Sequence, residues 1–227
     1  MTGVVNPHGL DYNPVGLWQL NGTLNDTSGN GFNLTVEAGN IHYGQILPGI
    51  RGALLVSARL VYNTFTSTLA IAGDITIESL IYLPAYLVSL RDLVSHENAG
   101  ETSADNSQYG IDMISGTGNV GFFSETGAGI DTYYALTERP PLNPFHFAAT
   151  RISNVIQFYQ NGKPWGSPSS TLATPTGGSS GRFRVGLSAS NGPEGVVASL
   201  KVIASGLTST QVATEYNRTL GGLYGYV

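Results

Sequence analysis

The 227-residue chain has no cysteine, two lysines (Lys163 and Lys201) and 11% charged residues, against about 25% in an average domain. Each shortage excludes something. Without cysteine there is no disulfide framework, thiolate zinc site, iron–sulfur ligation or cysteine nucleophile. Ten cations against 15 carboxylates leave a net charge of -5, and the arginines are scattered, so nucleic acid is not an expected partner. No apolar run approaches the roughly 18 to 20 residues that cross a bilayer, so no membrane insertion is expected. The start, MTGVVNPHGL, lacks the basic and apolar regions of a secretory signal. The chain is therefore either not exported by that route or has lost its signal. Disorder is excluded by a 41% hydrophobic content and a small net charge.

Glycine (30 residues) and proline (11) punctuate the chain, and short strand-like runs recur between them. These runs are 15–20, 32–36, 53–56, 75–83, 87–95, 108–114, 120–123, 132–136, 145–151, 155–160, 182–187 and 195–204. In the run from Ile75, Ile75 and Ile77 share one face, while Thr76 and Glu78 share the other. That alternation is the antiparallel pattern of one buried and one solvated face. Asn161-Gly162 after Val155–Gln160 predicts a type I′ hairpin turn. One helix is expected. Thr208-Ser209-Thr210-Gln211 is a capping box, Val212, Tyr216 and Leu220 form an apolar stripe, and Gly221-Gly222 stops it. Many strands and one short C-terminal helix predict an all-β, two-sheet antiparallel sandwich. Residues 1–14 read as an extended arm, 15–220 as the domain, and 221–227 as an apolar tail. Ser167–Gly181 reads as a long surface loop.

The order of motifs carries a resemblance. Gly16-Leu17-Trp18-Gln19-Leu20, then Asp26-Thr27-Ser28-Gly29-Asn30-Gly31 and Leu34, resembles the opening of laminin-G-like, concanavalin-A-like jelly rolls. Gly52-Ala53-Leu54 and Ile75-Thr76-Ile77-Glu78 are similar to later strands of that family. So are Phe145–Arg151, Ile156–Lys163, Gly195–Val202 and Leu207-Thr208 with Tyr216-Asn217. The resemblance spans about residues 15–220 and implies a concanavalin-A-like jelly roll. It leaves function open, because this sandwich hosts lectins, adhesion modules, glycosidase accessory domains and virion proteins.

Catalysis finds no support in the residues. Glycan cleavage needs facing carboxylates, and the E-x-D-x-x-E strand of related glycosidases does not occur. Glu78 stands alone on its strand, and Glu97, Glu101 and Asp105 fall in a polar loop. His8, His42, His96 and His146 show no metal-ligand spacing. His146 reads as a packing residue or the partner of a backbone hydrogen bond. No enzyme activity is expected. Asp26, Ser28 and Asn30 place oxygen ligands at alternate positions of a Gly-rich turn. The resemblance implies a structural calcium there, although Ala198-Ser199 stands where relatives carry a carboxylate. The other reading is an Asx-type turn in which Asp26 accepts from backbone amides ahead of it.

Two polar loops, Ser95–Ser107 and Ser124–Tyr134, carry His96, Tyr133 and Tyr134. These three residues are candidates for stacking on and hydrogen bonding to a sugar. The plain alternative is that the tyrosines cover the sandwich edges. Arg182 and Arg184 read as the solvated face of a strand. The tail residues Leu223, Tyr224, Tyr226 and Val227 are candidates for docking on a partner or on the sandwich itself. Two functions are carried forward. One is a non-catalytic virion-surface module, such as a bacteriophage decoration, fibre or tail-associated subunit, bound to other virion proteins or to copies of itself. The other is an extracellular carbohydrate-binding or adhesion domain that recognises cell-surface glycans. Four N-x-T sequons, at Asn21, Asn25, Asn33 and Asn217, read as incidental to a Thr- and Asn-rich chain.

Overall fold

The computed structural model describes residues 12–64, 66–83, 91–98, 108–113, 117–126, 130–175, 181–186 and 195–218. Most of the expected N-terminal arm lies outside these residues, as does the tail with Leu223, Tyr224, Tyr226 and Val227. The strands are β1 (Gly16–Trp18), β2 (Thr35–Leu47), β3 (Ile50–Tyr62), β4 (Ile75–Tyr82), β5 (Arg91–Asn98), β6 (Tyr109–Met113), β7 (Val120–Thr126), β8 (Ile130–Ala135), β9 (Phe145–Ile152), β10 (Val155–Gln160), β11 (Lys163–Trp165), β12 (Gly181–Val185) and β13 (Gly195–Ile203). One helix, α1 (Ser209–Tyr216), follows them. The molecule is an all-β antiparallel sandwich with a short C-terminal helix, as its alternating runs and single capping box require.

One layer runs β11-β10-β9-β4-β13, with β1 also paired to β13. The other runs β12-β5-β6-β7-β8. The long β2–β3 hairpin joins them. Ala53–Leu55 of β3 pair with β13, and Leu60–Tyr62 pair with β12. One strand thus serves both sheets, and the ladder curls into a sandwich.

The two layers meet through aromatic side chains. Trp18 stacks on Phe183 at 4.8 Å, Tyr134 stacks on Phe158 at 5.8 Å, and the Arg151 guanidinium lies 5.7 Å from the Phe122 ring centre. Trp18 is fully buried and its indole N–H donates to the Phe32 carbonyl at 2.7 Å. Its polar atom is therefore satisfied inside the core.

Turn chemistry follows the residues. Asn161 (φ 49°) and Gly162 (φ 73°) make the expected I′ turn between β10 and β11. Ser153 (φ 48°) and Asn154 (φ 63°) make a second tight turn of the same hand between β9 and β10. At α1, Thr208 accepts from the Gln211 amide and Gln211 reaches back to the Thr208 amide. The helix seats Val212 beside Ala148, Tyr159, Ile203 and Leu207 on the outer face of the first sheet. Lys201 ties it down by bridging Glu78 and Glu215.

Several expectations are corrected. The polar stretch Ser124–Tyr134 is mostly strand, because β7 continues to Thr126 and β8 starts at Ile130. Arg184 is buried and pairs with Glu37, which also pairs with Arg59 and Arg182. Its strand face therefore holds a charge cluster, with Arg182 the more exposed member. Glu78 is the one carboxylate on β4, and Lys201 on the neighbouring strand faces it at 3.1 Å. Residues 37–47 of β2 lie outside the runs that the sequence marks as strand. Gly39 and Gly44 interrupt their apolar pattern.

Candidate functional site

The outer face of the second sheet carries the clearest built surface. In an antiparallel ladder, directly opposed residues share a face. Asp112 on β6 opposes Gly121 on β7, and Gly121 opposes Ala135 on β8. One step along the same face, Gly110, Phe123 and Tyr133 are in line.

The glycines are required here. A Cβ at Gly110 would run into the Phe123 ring, and a Cβ at Gly121 would collide with the Tyr133 phenol and Asp112 Oδ1. Each bare backbone thus lets a ring lie across it. Tyr133 reaches over Gly121 from the edge strand and its hydroxyl donates to Asp112 Oδ1 at 2.8 Å. That bond holds the ring in place, yet Tyr133 remains 40% exposed.

Asp112 is buried, and burial pushes its carboxyl up to about 6, with the Tyr133 hydroxyl bond offsetting part of the rise. The result is a small platform of one exposed ring, a second half-buried ring at Phe123, and a carboxylate in hydrogen-bond contact with a phenol. Chemically this presents a flat apolar surface tipped by the Tyr133 hydroxyl, with the buried Asp112 carboxyl beneath it.

The three residues expected to bind a ligand do not stay together. Tyr133 is on the platform. Tyr134 is the next residue along β8, and successive strand residues face opposite ways. It turns inward, stacks on Phe158, and its hydroxyl contacts the Ser167 carbonyl. His96 belongs to β5 and is 1% exposed, stacked at 5.8 Å on Tyr109 inside the sandwich. The sequence reads both as loop residues; β5 buries His96, and β8 leaves Tyr134 half-buried against the core. Asp112, Phe123, Gly110 and Gly121 were missed. The available signal was glycine two residues from a polar or aromatic residue on each of two consecutive strands, Gly110-Ile111-Asp112 and Gly121-Phe122-Phe123.

The Asp26 turn is held by hydrogen bonds. Asp26 Oδ1 accepts from the Leu17 and Ser28 amides, and Oδ2 accepts from the Ser28 hydroxyl and the Phe32 amide, at 2.8–3.0 Å. Asn30 donates its amide to the Val15 carbonyl at 3.0 Å. A carboxylate has about four lone-pair sites, and protein donors fill that number. A cation would have to displace them, so this donor set does not fit calcium as it stands. What the turn does is clip β1 to the chain that follows.

His146 is buried against Tyr216 of α1 at 5.6 Å, and neither ring nitrogen has a hydrogen-bond partner among the described residues. Burial, reinforced by the Lys201 charge, holds its imidazole down to about 3. Its backbone amide donates to the Asn161 side chain at 2.9 Å. It packs the helix against the sheet, in keeping with a packing role.

No protein-family model matches the chain, and no curated protein matches it. Solved structures do. The binding domain of Paraclostridial Mosquitocidal Protein 1 superposes with a TM-score of 0.70 at 17% identity, over 90% of this chain and 52% of that one. The receptor-binding domain of botulinum neurotoxin mosaic serotype C/D gives 0.71 at 12% identity, over 93% and 52%. A botulinum neurotoxin type C structure, whose cell entry is described as dependent upon interaction with two ganglioside molecules, gives 0.70 at 14%, over 91% and 51%. The chain spans about half the length of these structures. At such identity the likeness is one of fold, and what it shares with the laminin-G-like resemblance is the lectin-like β-sandwich.

Proposed function

We propose that the chain is a non-catalytic recognition module, exposed outside a cell, that binds cell-surface glycan on the β6–β7–β8 platform. The observation that carries this reading is the Tyr133 ring, 40% exposed and held over Gly121 by its bond to Asp112. An aromatic ring fixed in this way suits the apolar face of a sugar, and the phenol oxygen at its tip suits a sugar hydroxyl. The buried Asp112 carboxyl, occupied by the phenol, holds the ring in place; glycoside hydrolysis uses a facing pair. The fold is also that of toxin binding domains, one of which is described with ganglioside molecules. The virion-surface reading draws no support from these neighbours, and the Asp26 turn is not proposed as a cation site.

A glycan array on the purified chain tests the reading. Tyr133→Ala is expected to lower affinity for any retained glycan by about tenfold, the worth of one aromatic contact. Tyr133→Phe keeps the ring and loses the Asp112 bond, so it is expected to bind at an intermediate level. No glycan retained by the wild type, or retention indifferent to both variants, would overturn the proposal.

A further inference from the structure

Strand β2 is a long edge. Among the described residues it pairs with β3 alone, and most of its 13 residues are exposed or half-buried on both faces. Its outer backbone row is a template for another strand. Proteins usually blunt such an edge with charge, proline or bulges. From Ala38 to Leu47 there is no charged residue and no proline. Register shifts occur between Ala38 and Asn40 and between Gln45 and Leu47, and the six residues Asn40–Gln45 between them run in unbroken register with Arg51–Val56. The protection therefore stops at both ends of a regular, uncharged window.

The window also carries the rim of the core. Ile41 opposes Leu55 and Tyr43 opposes Ala53, both buried, and Ile41 and Tyr43 are themselves only half covered while packed against the core. His42 and Asn40 face the other side and are exposed.

We propose that β2 is the seam of a homodimer, pairing antiparallel with β2 of a second copy about a two-fold axis through His42. In an antiparallel pair, opposed residues share a face, so a two-fold axis must pass through a residue position. An axis at His42 sets Ile41 opposite the copy's Tyr43, and Tyr43 opposite the copy's Ile41. The two half-covered apolar residues then complete one another's cover, as cross-strand pairs do. Asn40 falls opposite Gly44, and Glu37, the strand's single charge, lies outside the regular window. Such an isologous contact satisfies two exposed edges at once, whereas an added peptide would cover one and leave Ile41 and Tyr43 to a partner of unspecified shape. The dimer is independent of the glycan reading.

Sedimentation of the chain up to about 100 µM, a concentration that detects weak association, tests it. The wild type is expected to show a concentration-dependent dimer. His42→Lys and His42→Glu are each expected to be monomers that melt where the wild type melts at dilutions at which it too is monomeric, because His42 is exposed and only the dimer brings two such charges together. Mixing the two variants is expected to restore a dimer through opposite charges. A wild type that stays monomeric overturns the proposal, including one that binds an added extended peptide. So does a dimer that survives both single variants.

Discussion

Arg151 illustrates how a single residue can be required by parts of the chain far from it. It is 2% exposed, and its guanidinium donates to the carbonyls of Gly73 (2.8 Å), Gln108 (3.0 Å) and Ile71 (2.7 Å). Burial lowers its pKa to about 10, so it remains charged at neutral pH. Replacing it by Met keeps much of the volume but strands three acceptors, each at a cost of about 1–3 kcal/mol. We expect Arg151→Met to lose about 3 kcal/mol or more, measured as the midpoint of denaturant unfolding. Arg151→Lys, with one donor group, should fall between. A loss below about 1 kcal/mol would show that these bonds contribute little. The sequence places Arg151 at the end of an alternating run and gives no hint of this role, because its acceptors lie 43 to 80 residues away. By contrast, the local use of Asp26 was readable, since its acceptor oxygens serve amides within the same turn and the neighbouring β1.

At the scale of elements, the β10–β11 turn and α1 lock each other. Gly162 sits at φ 73°, and a Cβ there would also come within 2.9 Å of the Tyr216 side chain. Gly162→Ala therefore meets both a left-handed backbone penalty of about 1 kcal/mol and a displaced helix. We expect a loss of about 1–2 kcal/mol, read as a lowered thermal midpoint. Thr208→Ala removes the cap acceptor for the Gln211 amide and should cost about 1 kcal/mol. Because both changes act on the same docked helix, the double variant is expected to lose less than the sum; strict additivity would show that turn and helix are independent.

These elements were legible because their signals are local: Asn-Gly for the turn, a capping box for the helix, alternation for the strands. The β2 strand was legible only in its first residues, since its second half is specified by pairing with β3 rather than by its own propensity. The Ser153-Asn154 turn carries no glycine to announce it. The platform was half legible. Tyr133 stood out as an aromatic residue in a polar stretch, but its orientation depends on Gly121 and Asp112, which reach it only through the register of three strands.

For the whole molecule, two buried ionisable groups on opposite sheets set opposing responses to acid. Asp112 has a folded pKa raised from 3.8 to about 6. Its contribution to stability is fully present below pH 3.8 and is lost as pH rises through about 6. His146 has a folded value lowered from 6.5 to about 3. Its contribution is present above pH 6.5 and is lost progressively as pH falls towards 3. Between pH 6.5 and about 4 the folded chain therefore gains from one group while it loses from the other. The wild type should show a shallow profile there as far as these two groups determine it.

Single variants separate the terms. Asp112→Asn should become progressively less stable than the wild type as the medium is acidified across this window. His146→Gln should become progressively more stable than the wild type over the same range. Each pH unit of uncompensated titration is worth about 1.4 kcal/mol, so the two variants should diverge from one another by on the order of 4 kcal/mol by pH 4.5 relative to pH 7. Other buried acids, such as Glu78, are common to both proteins and cancel in the difference. Chemical denaturation at pH 7, 6, 5 and 4.5 measures the divergence, and parallel profiles for the two variants would show that neither group titrates across folding as its burial requires. The same variants bear on the platform, because Asp112→Asn alters the acceptor of the Tyr133 hydroxyl while His146→Gln lies on the other sheet. A glycan affinity that changes with the first and not the second would tie recognition to the β6–β8 face rather than to the stability of the sandwich.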